Sequence, residues 1–362
     1  MISYKIQIME QLYVKLMKQC IELAKSGYGH VSPNPLVGCI VIDQNGEIIS
    51  TGYHAKYGEN HAERDALLKL DSAKDCTLIV NLEPCSHFGK TPPCADLIIE
   101  KGIKTVVYGM KDVNPLVAGN GLKKLQDAGV EIIGPVLEDE CKKLNEIFIK
   151  NHTKKQTFVA LKTATTIDGK IAVSNGDSKW ITSEKARAKV KELRAVYDAI
   201  LTSSSTVIAD NPTMEHKIKI ILDRELKTDI NSNIYKSGNI FIFYDEKLCH
   251  PELDSGSNNI SYIPTPVADN KLDIKFILEK LYSLGIMSVF VESGGILNGS
   301  FLPYVDKLYH FTAPKILSDN SGKSCFGGKY VARISDCTNL VYEKTEIYSP
   351  DILNIYNKTN LC

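Results

Sequence analysis

Asn81-Leu82-Glu83-Pro84-Cys85-Ser86-His87-Phe88-Gly89-Lys90-Thr91-Pro92-Pro93-Cys94 places two cysteines in a proline-framed loop. An apolar run, Thr77 to Val80, leads into it and reads as a buried strand. A short way upstream lies His61-Ala62-Glu63. One His and two Cys can hold a metal, and three protein ligands leave the fourth tetrahedral position of Zn²⁺ open for water. A structural site normally closes with a fourth Cys or His. Three ligands beside a carboxylate form the arrangement of metal-assisted hydrolysis. Free cysteines are common in cores, but Pro84-Cys85 and Pro93-Cys94 stand in a polar loop, not in a core pattern.

Zinc deaminases use His/Cys/Cys ligation with a Glu that is not a ligand. On that reading His61, Cys85 and Cys94 bind zinc and Glu63 is the catalytic proton shuttle. The generic deaminase pattern is Pro-Cys-x-x-Cys, whereas eight residues separate Cys85 from Cys94 here. His87 lies close enough in sequence to be a rival ligand or a substrate contact, and a solvated loop histidine is an equal reading.

The chain has 362 residues, enough for two domains. Lys plus Arg and Asp plus Glu both number 43, so the formal net charge is zero. A nucleic-acid partner would leave a basic face, which argues against one. No apolar run is long enough to span a bilayer, and the start lacks the pattern of a signal peptide. The ten cysteines are scattered, which points to a reducing, cytoplasmic compartment.

In chain order, Gln11 to Ser26 reads as a helix with Leu12, Leu16, Cys20 and Leu23 on one face. Ser32-Pro33-Asn34-Pro35 precedes an apolar run, Leu36 to Ile42, and Asn45-Gly46 marks a hairpin turn to Glu47–Thr51. Asn34 stands at a strand entrance, although a plain Asn/Pro loop reads as well. A helix runs from His61 through Leu70. Further helices are expected at Ala95–Lys101, Gly121–Ala128 and Glu138–Lys150, with a strand at Thr105–Tyr108. Strands alternating with helices indicate an α/β layer sandwich.

His61-Ala62-Glu63, the long Pro84-Cys85…Pro93-Cys94 loop and Pro33-Asn34-Pro35-Leu36-Val37-Gly38 together resemble the deaminase half of the bifunctional riboflavin-biosynthesis deaminase/reductase family. Asp112-Val113-Asn114-Pro115 and Gly119-Asn120-Gly121 also look like that family, in which the eight-residue cysteine gap is usual. The resemblance covers essentially the whole chain. It implies a cytidine-deaminase-like α/β/α sandwich with zinc over residues 1–150. A dihydrofolate-reductase-like α/β domain using NADPH would occupy residues 156–362, with a polar, basic linker from Asn151 to Gln156 between them.

In the second half, strands are expected at Phe158–Ala164, Ala199–Thr202, Ile218–Leu222, Ile240–Tyr244 and Ser288–Val291. A helix capped by Thr182 or Ser183 follows Trp180, and another spans Asp273–Leu284. Leu248 to Pro266 reads mostly as loop. Gly294-Gly295 ends a strand and opens a helix, which suits an anion, though an ordinary tight turn reads equally well. The resemblance implies cofactor contacts at Ala164, Trp180, Thr206, Asp210, Arg224 and Gly294, Gly295, Ile296, Leu297, Asn298, Gly299 and Ser300. It implies substrate contacts at Asn34 and His54 in the first half, and at Ser178, Arg194, Met214, Lys217 and Glu292 in the second. Arg194 and Lys217 suit a phosphate; Glu292 or Asp168 could assist reduction by hydrogen bonding. The family commonly has Arg and Leu where this chain has Lys217 and Met214, and the Thr213–Lys219 segment is short.

The implied reactions are hydrolytic deamination of 2,5-diamino-6-(5-phosphoribosylamino)pyrimidin-4-one, then reduction of the product's ribose to a ribityl chain. The implied partners are that small molecule and further copies of the chain, as a dimer or tetramer. The other readings are an active deaminase joined to a degenerate reductase, a nucleic-acid base deaminase, and a non-catalytic zinc scaffold. Neutral charge and the second domain speak against a nucleic-acid substrate, and Glu63 with an open fourth position speaks against a scaffold.

Overall fold

The apolar run ahead of the cysteine loop is the middle strand of a five-stranded sheet. This computed structural model describes residues 2–88, 92–114, 119–248, 259–328 and 331–358. Parts of three expectations therefore lie outside the described residues: Gly89–Thr91 of the cysteine loop, Pro115 of the Asp112 motif, and 249–258 of the long loop. The chain divides into two compact units, Met1–Lys155 and Gln156–Cys362.

The first unit runs α1 (Ile2–Ala24), β1 (Gly38–Ile42), β2 (Ile48–Tyr53), α2 (Ala62–Leu67), β3 (Thr77–Leu82), α3 (Cys94–Glu100), β4 (Thr105–Met110), α4 (Asn120–Asp127), β5 (Glu131–Ile133), α5 (Glu138–Leu144) and α6 (Glu146–Lys154). Its sheet has the order β2-β1-β3-β4-β5. β1 is antiparallel to both its neighbours, and β3, β4 and β5 are parallel. Every residue of β1 and β4 is buried, because α1 and α5 pack on the sheet together while α2, α3 and α4 form a second contiguous group. Burying each of Leu78, Ile79 and Val80 contributes roughly 1.5–3 kcal/mol. The cysteine loop thus leaves a rigid strand at its carboxyl end.

Two expectations need correction in this unit. The helix read as Glu138–Lys150 is broken at Asn145, whose side chain turns to the backbone of Leu36. The residues read as a linker from Asn151 are helical to Lys154, since Phe148 and Asn151 bury one face of α6. The first domain therefore extends past residue 150.

The second unit runs β6 (Phe158–Thr165), β7 (Lys170–Ala172), α7 (Glu184–Arg194), β8 (Ala199–Ser203), α8 (Ser204–Asp210), β9 (Ile218–Leu222), β10 (Asn239–Asp245), β11 (Ile260–Thr265), β12 (Val267–Ala268), β13 (Lys271–Leu272), α9 (Ile274–Ser283), β14 (Ser288–Glu292), α10 (Gly295–Phe301), β15 (Lys307–Thr312), β16 (Lys323–Ser324), β17 (Leu340–Tyr348) and β18 (Asp351–Lys358). Nine of these strands form one sheet, β11-β10-β9-β8-β14-β6-β15-β18-β17, parallel as far as β15 and antiparallel beyond it. One face buries Val159, Leu161, Leu201, Ile220 and Val291 with α9 and Phe301. The other buries Ile200, Ile221, Ile240 and Ile242 with Val207, Met214 and Tyr235.

β11 corrects the reading of Leu248–Pro266 as loop. It is an outer strand with one neighbour, β10, and there Pro264 costs no ladder bond. The serines after β8 open α8, with the Ser203 hydroxyl accepting from Thr206 N at the helix start.

Candidate active sites

In the first unit, β3 delivers Cys85, and α3 begins at Cys94. His61 occupies the N-cap position of α2, with extended backbone angles. Cap geometry frees its ring to turn away from the helix axis while Glu63 lies in the first turn. His61 Nδ1 stands 3.5 Å from Cys85 Sγ and 3.5 Å from Cys94 Sγ. All three ligand atoms lie within 4.8 Å of one another.

These distances suit zinc. Bond lengths of about 2.0–2.1 Å to nitrogen and 2.3 Å to sulfur make the N···S edge of a tetrahedron ~3.5–3.6 Å. The two cysteines share one thiolate, which sits on Cys85. The Cys94 thiol hydrogen bond lowers the Cys85 pKa to about 4, aided by His61 and by the Cys94 N–H against burial. Cys94 is pushed up by the same contact and by burial. Among the described residues, His61, Cys85 and Cys94 are the one such cluster of three or more metal-ligating groups. His87 is exposed and stands outside it.

Glu63 is 3% exposed. Burial raises its pKa to about 7, and the Cys85 charge adds to that rise. A carboxyl poised near neutrality can both take and return a proton. Next to His61, His54 Nδ1 meets Asn60 O at 2.9 Å, and Nε2 meets Asn34 Nδ2 at 3.1 Å. This pairing assigns the proton to Nδ1 and leaves Nε2 as acceptor from the Asn34 amide. Burial lowers the His54 pKa, which favours the neutral ring. Its centroid is 5.5 Å from that of His61, edge to face. Asn34, His54, His61 and Glu63 are therefore brought together around the cysteines.

Two buried asparagines set up that neighbourhood, and the sequence reading had missed both. Asn81 accepts from Gly38 N at 2.8 Å and donates to Leu36 O at 2.9 Å. Asn145 accepts from Leu36 N at 2.8 Å and donates to Leu36 O at 3.1 Å. The Leu36–Gly38 backbone is thus gripped from two elements just after Asn34. An Asn closing the apolar run of β3 was the available signal, since a buried amide needs partners.

In the second unit most of the candidate cofactor residues lie at or after the carboxyl ends of the parallel strands. After β8 the chain continues outward to β9; after β14 it passes β6 to reach β15. Connections that diverge from neighbouring strands open a crevice at those ends. Ala164 is the next-to-last residue of β6, Thr206 and Asp210 lie on α8, Arg224 follows β9, and Gly294–Ser300 follow β14. Trp180 is 62% exposed. The Arg187 guanidinium sits 4.3 Å from its ring centroid, and Lys315 Nζ donates to Trp180 O. Lys179 Nζ reaches Asp210 O at 3.5 Å, so this segment meets α8.

The glycines of the Gly294–Ser300 turn have separate reasons. A Cβ at Gly294 would meet nothing within 4 Å, so its surroundings are open. A Cβ at Gly295 would lie 2.1 Å from Ser324 O, and one at Gly299 would lie 1.4 Å from Gly327 O. Those two glycines let α10 press against the 324–327 backbone, and Gly327 N donates to Gly295 O.

Arg194 and Glu292 form a forked pair, with Nε to Oε1 at 2.6 Å and Nη2 to Oε2 at 3.1 Å. Lys162, on β6, stands 3.8 Å from Glu292 Oε2. Burial raises the Glu292 pKa, but Lys162 and Arg194 outweigh it and hold the carboxylate ionised. Burial lowers the Lys162 pKa, and Arg194 adds to the fall while Glu292 opposes it. Two cations, Arg194 and Lys162, face the one Glu292 carboxylate, and Arg194 also feels the charge of Glu215. Lys162 was missed, although a lysine interrupting the apolar run of β6 was a visible signal.

The other named positions are less close-knit. Ser178 is half-buried, Met214 is buried with a φ of 41°, and Lys217 is exposed. The short Thr213–Lys219 segment is pinned from within. Buried Lys219 donates to Thr213 O at 3.2 Å, Ile234 O at 2.5 Å and Ser237 Oγ at 3.3 Å. Asp168 accepts from the Leu317 and Ser318 amides, at 3.0 and 2.9 Å, and so ties down that loop.

The cytidine and deoxycytidylate deaminase zinc-binding region matches residues 10–110, and the RibD C-terminal domain matches residues 157–353. The riboflavin biosynthesis protein RibD of Actinobacillus pleuropneumoniae is 38% identical over 354 residues, with 94% of each chain covered. That of Escherichia coli K12 is 33% identical over 361 residues, covering 93% of this chain and 96% of its own. Among solved structures, the diaminohydroxyphosphoribosylaminopyrimidine deaminase/5-amino-6-(5-phosphoribosylamino)uracil reductase of Thermotoga maritima is 39% identical, with a TM-score of 0.86. The match covers 96% of this chain and 99% of that one.

Proposed function

Because the chain belongs to the RibD family of riboflavin biosynthesis proteins, bifunctional enzymes with a deaminase and a reductase domain, we propose that its first site deaminates 2,5-diamino-6-(5-phosphoribosylamino)pyrimidin-4-one and its second reduces the ribose of the product to ribityl. The observation that carries the first half is the group His61, Cys85 and Cys94, with ligand atoms within 4.8 Å of one another and Glu63 buried beside them.

His61, Cys85 and Cys94 hold zinc in this reading. When bound, zinc supplies Lewis acidity and brings the pKa of water down to near 7. Glu63 takes the proton from the attacking water and returns it to the ring nitrogen and the departing amine. Neutral His54 and the Asn34 amide orient the pyrimidine and its ribose side. The side chains exclude bulk water from Glu63, which keeps its pKa near the working pH.

In the second site, Ala164, Trp180, Thr206, Asp210, Arg224 and the Gly294–Ser300 turn hold a nicotinamide cofactor, taken as NADPH from the family resemblance. When bound, that cofactor would supply a hydride to C1 of the sugar, which must be electrophilic as the opened imine. Ser178, Arg194, Met214, Lys217 and Glu292 hold the substrate. The paired cations Arg194 and Lys162 suit a phosphorylated, electron-rich substrate, and in this reading Lys162 donates the proton that balances the hydride. The resemblance also supports a homo-oligomer.

Glu63→Gln is the test of the first assignment. The variant should keep its zinc, measured by metal analysis, and lose ammonia release from the diaminopyrimidine phosphate by ~10²–10⁴-fold. Turnover near the wild-type rate would remove Glu63 from the mechanism.

A further inference from the structure

Glu83 stands two residues before the ligand Cys85, and its buried carboxylate is spent on backbone amides. Oε2 accepts from Asp112 N at 3.3 Å and Gly119 N at 3.0 Å. Oε1 accepts from Gly121 N at 3.0 Å and Leu122 N at 3.3 Å. The N-cap of α4 is Gly119, which has no side chain to offer. The amides of Gly121 and Leu122 are the second and third of the helix, the pair a cap residue normally satisfies. Glu83 supplies the missing oxygen from another element, with a charge the helix start favours.

The backbones are fitted to each other as well. A Cβ at Gly121 would lie 1.8 Å from Pro84 O. Residues 83–84 of the metal loop and 119–122 at the head of α4 are thus clasped by one carboxylate and one close approach, immediately before Cys85.

We propose that Glu83 is a positioning residue that couples zinc retention to the docking of α4 on the metal loop. The inference rests on the reading that His61, Cys85 and Cys94 hold zinc. Coupling of this kind is reciprocal: what the four amide bonds contribute to holding Cys85 in place, bound zinc returns to those bonds. Glutamine cannot replace the carboxylate, because it offers one acceptor oxygen and turns N–H donors toward the remaining amides.

The test measures zinc release from the zinc-loaded full chain to a chromogenic chelator, in wild type and Glu83→Gln. Alongside it runs amide hydrogen exchange at Gly119, Gly121 and Leu122, with zinc and after its removal. Glu83→Gln should release zinc roughly 10–100-fold faster, the usual scale for losing a group that supports a ligand. In wild type the three amides should lose protection when zinc is removed, while Val106 and Val107 of β4 keep theirs. In the variant the three should exchange fast in either state, a signature that general destabilisation would not confine to them. Equal zinc release from folded Glu83→Gln overturns the coupling, as does wild-type protection that ignores zinc. If the variant does not fold, the wild-type exchange comparison decides alone. A wild-type chain that holds no zinc, or a Cys85→Ser variant that keeps it, overturns the ligand assignment and the coupling together.

Discussion

Lys162 carries the sharpest residue-level claim about the second half. It lies on a strand whose neighbours are otherwise apolar or small, beside the carboxylate that Arg194 already neutralises. A structural ion pair needs one cation, and a second makes sense where negative charge arrives with a ligand. Reduction also needs a proton to accompany the hydride, and a lysine with a depressed pKa is a suitable donor. Lys162→Met should therefore lower kcat for reduction by ~10²–10⁴-fold while the dissociation constant of the nicotinamide cofactor changes little. A variant that loses cofactor affinity but keeps kcat would move Lys162 from proton transfer to cofactor binding.

At the scale of elements, the strands that carry the sites were legible because their apolar runs were long and ended at turn or metal residues, as in Thr77–Leu82 and Ser288–Glu292. β5, β7, β11, β15, β17 and β18 were not read. β11 contains Pro264, and β17 lies at the edge of the sheet with many exposed residues, so neither shows the pattern of a buried strand. The metal ligands could be read from spacing because their chemistry is local. Asn81, Asn145 and Glu83 could not, because their meaning lies in backbone groups up to 109 positions away. The Gly294–Gly299 pattern was visible, but two of its glycines answer to the 324–327 backbone.

The pairing of β6 with β15 has a pH dependence of its own. His310 on β15 meets Thr163 Oγ1 on β6 at 2.7 Å, and burial lowers its pKa below the usual 6.5. A base with a depressed folded pKa charges more readily when unfolded. Its contribution is therefore level above pH ~6.5, and stability falls as pH drops through that value, until the folded pKa is passed. Denaturant midpoints between pH 7.5 and 5.5 should decline less in His310→Asn than in wild type. Parallel declines would take His310 out of the acid response.

On the scale of the whole molecule, two sheets of different order sit in two units that meet in sequence at Lys155 and Gln156. No helix among the described residues is long and apolar enough to cross a membrane, and the formal charge is zero, which suits chemistry on a small molecule. The deaminase cluster and the Arg194–Glu292–Lys162 cluster each lie wholly within their own unit. The two reactions should therefore be separable by one substitution.

A coupled assay on the zinc-loaded protein tests that most directly. Wild type given the diaminopyrimidine phosphate should release ammonia and then consume NADPH, followed at the nicotinamide absorbance band. Glu63→Gln should do neither with that substrate, yet consume NADPH at the wild-type rate when given the deaminated compound. NADPH consumption by Glu63→Gln on the diaminopyrimidine itself, or none by wild type on the deaminated compound, would contradict a two-site deaminase and reductase.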